Sequence, residues 1–208
     1  FLPPHDYIIV HNDPIIDQMT IRKFENRKRN GDQIVISYIG LIRFHEQNKR
    51  IILKFKNDAR FLLRFIGTNA FSLREFCENN DVNNVELIDR FPPEKTLDYY
   101  YDTDIICNLY GSNTPLLDYA LSNKLYYAAT LKLPILVCPN TYMEKVSLQN
   151  GFGYAFDMDN PEVCDNLFDY YNSINWKKLK EDCDNFKEKI NKENVLFNDI
   201  VRDFVKQV

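Results

Sequence analysis

The sequence predicts an α/β chain, a parallel sheet with helices on both faces followed by a helical C-terminal tail, and three observations carry this. From Gln33 onward, short β-branched or aromatic runs alternate with stretches of helical spacing, the pattern of successive strand–helix–strand units joined by right-handed crossovers. The first of those runs, Ile34-Val35-Ile36-Ser37-Tyr38-Ile39, is nearly continuously apolar, as a strand buried on both faces must be. From about Pro161 to Val208 the strand-like runs stop, and the tail reads as two helices joined near Asn175-Trp176.

Before Gln33, Tyr7-Ile8-Ile9-Val10 is a short β-like run ended by the turn His11-Asn12-Asp13-Pro14. A helix is expected to start there, with Asp13 as N-cap and Pro14 in its first position, and to end near Asn30-Gly31. Residues 1–32 therefore read as a connector or the edge of a preceding domain, and 33–208 as one domain. After the first strand come a helix over about Glu46 to Asn57, a strand Phe61 to Ile66 closed by Gly67, and a helix Phe71 to Asn80. There follow a strand Val85 to Ile88, a helix Pro93 to Tyr101, a strand Asp104 to Leu109 and a helical stretch Leu116 to Leu131. Pro134 to Cys138 reads as a strand, Tyr142 to Gln149 as a helix and Gly153 to Phe156 as a last short strand.

Composition narrows the function. The 208 residues suit one domain with a real core. Twenty-six basic residues against 30 acidic give a net charge of −4, which argues against a broad nucleic-acid footprint. No apolar run approaches the ~20 residues of a membrane span, and Phe1-Leu2-Pro3-Pro4-His5-Asp6 is not a secretory signal. Opening on Phe, the chain is expected to be part of something longer. Its five cysteines contain no CxxC pair, so neither a disulfide framework nor a zinc site is written, and a reducing compartment fits. Glycine is scarce, six in all, so each is expected where the backbone demands it.

In an open parallel sheet, ligands sit outside the carboxyl ends of the strands, so the loops there carry the functional argument. Gly40 ends the first strand; Arg43, Lys49 and Arg50 follow, where a diphosphate would meet a helix N-terminus and a guanidinium fork. A plain turn glycine is an equal reading. Neither G-x-G-x-x-G nor G-x-x-x-x-G-K-[ST] occurs, which removes the dinucleotide fingerprint and the ATPase P-loop. The segment Tyr110-Gly111-Ser112-Asn113-Thr114-Pro115 is a polar loop after a buried strand, and Ser122-Asn123-Lys124 leads into a helix of small residues. Ser122 or Asn123 would cap that helix, and its free N–H groups with Lys124 would hold a negative group. The competing reading is an ordinary cap beside a solvated lysine.

Lys124-Leu125-Tyr126-Tyr127-Ala128-Ala129 followed by Leu133-Pro134-Ile135-Leu136-Val137 resembles the donor-site element of GT-B glycosyltransferases, in particular the family 4 and capsule-type enzymes. Gly40, Phe65-Ile66-Gly67, Val85 to Phe91 and Gly151-Phe152-Gly153-Tyr154 resemble further steps of that family in the same order, over about Ile34 to Asn175. The resemblance implies a Rossmann-like domain, one half of a GT-B fold, that binds a nucleotide sugar. The acceptor half would precede it. The implied activity is a metal-independent, retaining hexosyltransferase using an NDP-sugar, UDP-linked by expectation, with no further cofactor. Its acceptor would be a saccharide or lipid-linked, in bacterial surface or capsular polysaccharide synthesis. The implied setting is the cytoplasm, at the inner face of the membrane, with peripheral membrane association of the full-length enzyme.

Residue by residue, the resemblance assigns Arg43 and Lys124 to the donor diphosphate and the chain around Arg90-Phe91 to the nucleobase, with Gly40, Gly67, Asn113 and Asn123 in the donor loops. Tyr127 stands where the family has a ribose-binding glutamate, and Tyr119 is likewise not acidic; Asp118 is the neighbouring carboxylate. A lysine ~4 Å from the departing diphosphate contributes about 4 kcal/mol of attraction at an effective dielectric near 20. Half of that, felt only in the transition state, exceeds tenfold in rate.

Other residues compete. Asp102-Thr103-Asp104 and Asp157-Met158-Asp159 have the spacing of a metal-holding pair, with surface turns as the alternative. His45 and Glu144 lie near strand ends and would reach a donor, or simply be solvated; His11 reads as incidental. Two further functions stay open from the residues: a non-catalytic nucleotide-binding or partner module, given Tyr127 and Tyr119, and a sugar-nucleotide epimerase. The catalytic residue is not assigned.

Overall fold

Six strands, all parallel, build one sheet in a computed structural model that describes residues 8–27 and 31–206. They are β1 (Ile34–Ile39), β2 (Phe61–Ile66), β3 (Val85–Ile88), β4 (Ile105–Asn108), β5 (Ile135–Val137) and β6 (Gly153–Ala155), in the order β3-β2-β1-β4-β5-β6. The chain starts in the middle of the sheet, builds outward to β3, then returns to β4 on the other side of β1. Ile36 of β1 pairs with Leu63 of β2 on one side and with Ile105 of β4 on the other. The direction of winding therefore reverses between β1 and β4, which opens a crevice at their carboxyl ends.

Nine helices accompany the sheet among the described residues: α1 (Gln18–Glu25), α2 (His45–Lys54), α3 (Arg74–Asn79), α4 (Thr96–Tyr101), α5 (Pro115–Tyr119), α6 (Asn123–Leu131), α7 (Tyr142–Gln149), α8 (Val163–Ser173) and α9 (Trp176–Lys206). Side-chain alternation along the strands splits the core in two. On one face Ile34, Ile36 and Tyr38 pack with Ile51, Ile52 and Phe55 and with Leu167 and Tyr171 of α8. On the other, Ile39, Ile106, Ile135 and Val137 pack with Leu125, Ala128 and Ala129 of α6 and with Leu179, Cys183, Phe186 and Ile190 of α9. This is the expected Rossmann-like architecture with helices on both faces.

Three local expectations need correction. Ile8 to Val10 form no strand, and the first helix starts at Gln18, capped by Asp17, whose Oδ1 accepts the Thr20 N–H at 2.9 Å. Asp13 instead pairs with Lys187 of α9. The first helix also ends early, at Glu25 with Asn26 as its C-cap and the Asn26 N–H on the Arg22 carbonyl, and does not run on to Asn30-Gly31, of which Asn30 lies outside the described residues. The stretch expected to be helical over 116–131 is two helices, the second starting at the expected cap: Ser122 turns extended (ψ 148°) and its hydroxyl accepts the Lys124 N–H at 3.2 Å. A serine that caps well competes with helix continuation, so α6 begins afresh. The cysteines at 77, 107, 138, 164 and 183 are all free thiols.

Residues 8–27 are fastened to the rest of the chain. Phe24 is buried against Tyr101, with rings 5.4 Å apart edge to face. His11, which read as incidental, joins Glu193 of α9 through Nε2 and the Tyr126 hydroxyl at 3.1 Å through Nδ1. Arg27 donates to the carbonyls of Tyr101 and Thr103, each at 2.6 Å, and pairs with buried Asp104 at 3.0 Å. Asp104 also accepts the Val35 N–H at 2.9 Å, which holds the start of β1. Arg27→Ala is therefore expected to cost about 3 kcal/mol, because it takes the guanidinium from a buried carboxylate and two carbonyls; urea unfolding measures it.

Along α9, Ile190 is the last buried residue, yet Val195, Leu196, Ile200, Val201, Phe204 and Val205 continue an apolar stripe at helical spacing that stays exposed. No helix among the described residues is long and apolar enough to cross a membrane.

Candidate functional site

A cavity of about 500 Å³ opens at the carboxyl ends of β1 and β4. Its floor is the end of the sheet, its walls the loop after β1 on one side and the start of α6 on the other. Six of the residues that the resemblance places at the donor site line it: Gly40, Arg43, Phe91, Asn123, Lys124 and Tyr127; Gly111 and Ser122 line it as well. Gly40 leaves β1 at φ +128° with its N–H on the Ile66 carbonyl at 2.8 Å, a conformation that favours glycine.

Lys124 is the centre of the arrangement. It lies in the first turn of α6, a helix that packs on one face of the sheet, yet its amine crosses the strand ends to the aromatic rings of the other face. Nζ donates to the Tyr110 hydroxyl at 2.7 Å and sits 4.5 Å from the Tyr38 ring centroid and 5.1 Å from that of Tyr110. The residue is 7 % exposed, and no carboxylate among the described residues lies within 4 Å of the amine. Aromatic faces and a phenol oxygen stabilise the cation without neutralising it. The Tyr38 phenol, its own hydroxyl on the Leu41 carbonyl, is held far above its ordinary pKa by burial and by neighbouring Tyr110, so it stays neutral. Arg43, in the loop after β1, lines the same cavity and is exposed, also without a carboxylate partner among the described residues. A buried cation with no counter-ion among the described residues, sharing a cavity with a second cation, is an arrangement for an anion.

The side wall is aromatic. Tyr127 stacks on Tyr100 at 4.8 Å and 21°, and Phe91 meets Tyr99 edge to face at 4.8 Å. Burial raises the pKa of the Tyr100 phenol and of the Cys138 thiol, whose sulfur accepts the Gly111 N–H at 3.2 Å. Both groups are therefore uncharged near neutrality. At the rim, Leu116 of α5 is 71 % exposed.

The other residues singled out from the sequence lie elsewhere. Gly67 does not line the cavity; it abuts Gly40, and a Cβ placed on it would lie 2.0 Å from the Gly40 carbonyl oxygen. Arg90 is exposed outside the cavity. Asn113 takes a left-handed turn (φ 69°) and gives its N–H to Asp118 Oδ1 at 2.8 Å, which also occupies Asp118. Lys49 pairs with Glu46 and Arg50 with Asp159, away from the crevice. Glu144 is part of a helix cap, accepting the Asn140 N–H at 2.7 Å while Thr141 caps Glu144 in return. His45 meets the Ser72 hydroxyl at 3.2 Å. Of the two Asp triplets, Asp104 is committed to Arg27 and Asp159 to Arg50; among the described residues no group of three or more His, Cys, Asp or Glu is placed to hold a metal ion. Sequence reasoning gave no role to Tyr38, Tyr110, Tyr100 or Asn108. The available signal was position: each sits at or near the carboxyl end of a strand or beside the crevice, where a purely structural chain would spend apolar residues.

No family model matches the chain, and no curated protein is significantly similar to it in sequence. Solved structures are similar in fold. A glycosyltransferase from Rickettsia africae superposes with a TM-score of 0.59 at 14 % identity, over 93 % of this chain and 54 % of the other. Sucrose-phosphate synthase from Thermosynechococcus elongatus gives 0.58 at 10 % identity, over 94 % and 50 %. HepE from Anabaena, in complex with UDP and glucose, gives 0.57 at 11 % identity, over 93 % and 53 %. The chain spans about half the length of each of these structures, and it has the fold of a Rossmann-like domain of GT-B glycosyltransferases.

Proposed function

We propose that this chain is the nucleotide-sugar-binding domain of a GT-B glycosyltransferase. The observation that carries the reading is Lys124, a buried amine without a counter-ion at the point where the strand order reverses. In the proposed complex the diphosphate lies between Lys124 and Arg43, against the start of α6. The base and ribose lie along Phe91, Tyr100 and Tyr127. As the bond between the sugar's anomeric carbon and the diphosphate oxygen breaks, its electron pair goes to that oxygen, and the growing charge is met by an amine already in place. Lys124 thus stabilises the leaving group and transfers no proton; Tyr110 and Tyr38 fix where it points.

The finer parts of the proposal are a UDP-sugar donor, a saccharide or lipid-linked acceptor supplied to a second domain, a retaining and metal-independent reaction, and a role in bacterial surface polysaccharide synthesis at the cytoplasmic face of the membrane. The complex of HepE with UDP and glucose supports the choice of UDP as the probe. Calorimetry of the chain with UDP is expected to show saturable binding that weakens with salt, while turnover of a UDP-sugar by this chain alone stays near background, because nothing in the cavity is assigned to activate an acceptor. Absence of any heat with UDP or UDP-glucose would sink the donor-site reading. Rapid transfer by the chain alone would overturn the two-domain one.

A further inference from the structure

Asn108 ends β4 and lines the floor of the cavity with a side chain that has no hydrogen-bond partner among the described residues. It is 4 % exposed, and its Oδ1 is buried without a hydrogen bond. A buried amide left unpaired is costly, and most such groups in folded proteins are satisfied. The neighbours on this sheet face are apolar: Ile106 precedes it by one pleat, and Val137 of β5 lies opposite in register. An aliphatic side chain would suit that place better, so the amide is retained against the interest of stability, as happens where a ligand completes the bonding.

The chemistry of the amide narrows the group it meets. Its oxygen accepts and its nitrogen donates, and the two ends are close in shape. A phosphate oxygen, which only accepts, leaves Oδ1 unsatisfied. A hydroxyl satisfies either end. The cavity already meets anionic charge elsewhere, through Lys124 and Arg43, which leaves the floor for a neutral part of the ligand.

We propose that Asn108 is a specificity-determining residue that hydrogen-bonds a hydroxyl of the bound nucleotide sugar. This rests on the donor-site reading above. The hydroxyl belongs to the ribose or to the transferred sugar, and the two sources separate by experiment.

The test compares wild type with Asn108→Leu and Asn108→Ala by calorimetry with UDP, 2′-deoxy-UDP and UDP-glucose, alongside thermal unfolding without ligand. Asn108→Leu is expected to melt no lower than wild type, because no internal hydrogen bond is lost, and to bind UDP-glucose about tenfold more weakly. Weakening of UDP and UDP-glucose alike, with 2′-deoxy-UDP spared, assigns the contact to the ribose. Weakening of UDP-glucose alone assigns it to the transferred sugar. Unchanged affinity for all three ligands in both variants overturns the assignment, as does a loss matched by a fall in melting temperature in both. Failure of wild type itself to bind any of the three ligands overturns the donor-site reading and this assignment with it.

Discussion

Lys124→Met is expected to weaken UDP binding about 30-fold while leaving the melting temperature of the empty protein unchanged or raised. The methionine keeps most of the side chain's apolar length under the aromatic rings and removes only the charge. The amine's attraction for a diphosphate is about 4 kcal/mol at 4 Å in a medium of effective dielectric near 20; with half retained after desolvation, about 2 kcal/mol is lost, which is the 30-fold. Stability moves the other way because the empty cavity no longer holds an uncompensated charge. A merely structural lysine would behave oppositely, losing stability and sparing affinity. Lys145, exposed on α7 and outside the cavity, serves as the control, and Lys145→Met should change neither quantity. Lys132 would be a poor control, although from the sequence it reads as an exposed lysine. It is 6 % exposed, closes α6 in a left-handed conformation (φ 58°) and pairs with Asp184 of α9. Equal affinity of Lys124→Met and wild type for UDP would refute the site.

Gly67→Ala carries the second large effect, on folding. Gly67 follows β2 at φ +132°, and the added methyl would lie 2.0 Å from the carbonyl oxygen of Gly40 and 2.8 Å from its carbon. Both are backbone atoms at the end of β1, so relief requires β1 and β2 to part where Gly40 donates its N–H to Ile66, and strains the bond from the Gly67 N–H to Ile88 of β3, each at 2.8 Å. A loss of more than about 4 kcal/mol is expected, enough to unfold a domain of ordinary stability. Gly31→Ala provides the calibration. Gly31 has nearly the same φ, +122°, with nothing within 4 Å of the added carbon. It should cost only the conformational penalty, on the order of 1 kcal/mol. The difference between the two unfolding free energies measures the clash alone, and similar losses would contradict the geometry.

What the sequence reveals of this fold follows how locally each feature is determined. β1 and β2 are legible to the residue, because a strand covered on both faces needs a nearly continuous apolar run, and Ile34–Ile39 and Phe61–Ile66 supply it with one polar residue each, Ser37 and Arg64. The cleft position of Lys124 is legible from the loop before it and the small-residue helix after it. The cap at Ser122 is legible too, as a serine ahead of that helix, whereas the separate short helix Pro115–Tyr119 is not, since the stretch 116–131 has helical composition throughout. Asp13 and Lys132 mislead for a different reason: their partners, Lys187 and Asp184, lie far along the chain in α9, and no local pattern announces such pairs. Gly67 is marked by the scarcity of glycine, yet its role is to let β1 and β2 end side by side, not to touch a ligand. Tyr110 and Asn108 escape notice because a phenol and an amide beside a strand are unremarkable until the burial around them is known.

The twelve described residues of α9 beyond Asn194, whose amide is hydrogen-bonded to the His11 backbone, reach at 1.5 Å each about 18 Å past that attachment. Mechanically that overhang is a lever. A tilt of roughly 10° at its root carries its end through about 3 Å, so a small adjustment where His11 holds Glu193 and Asn194 is magnified at Phe204.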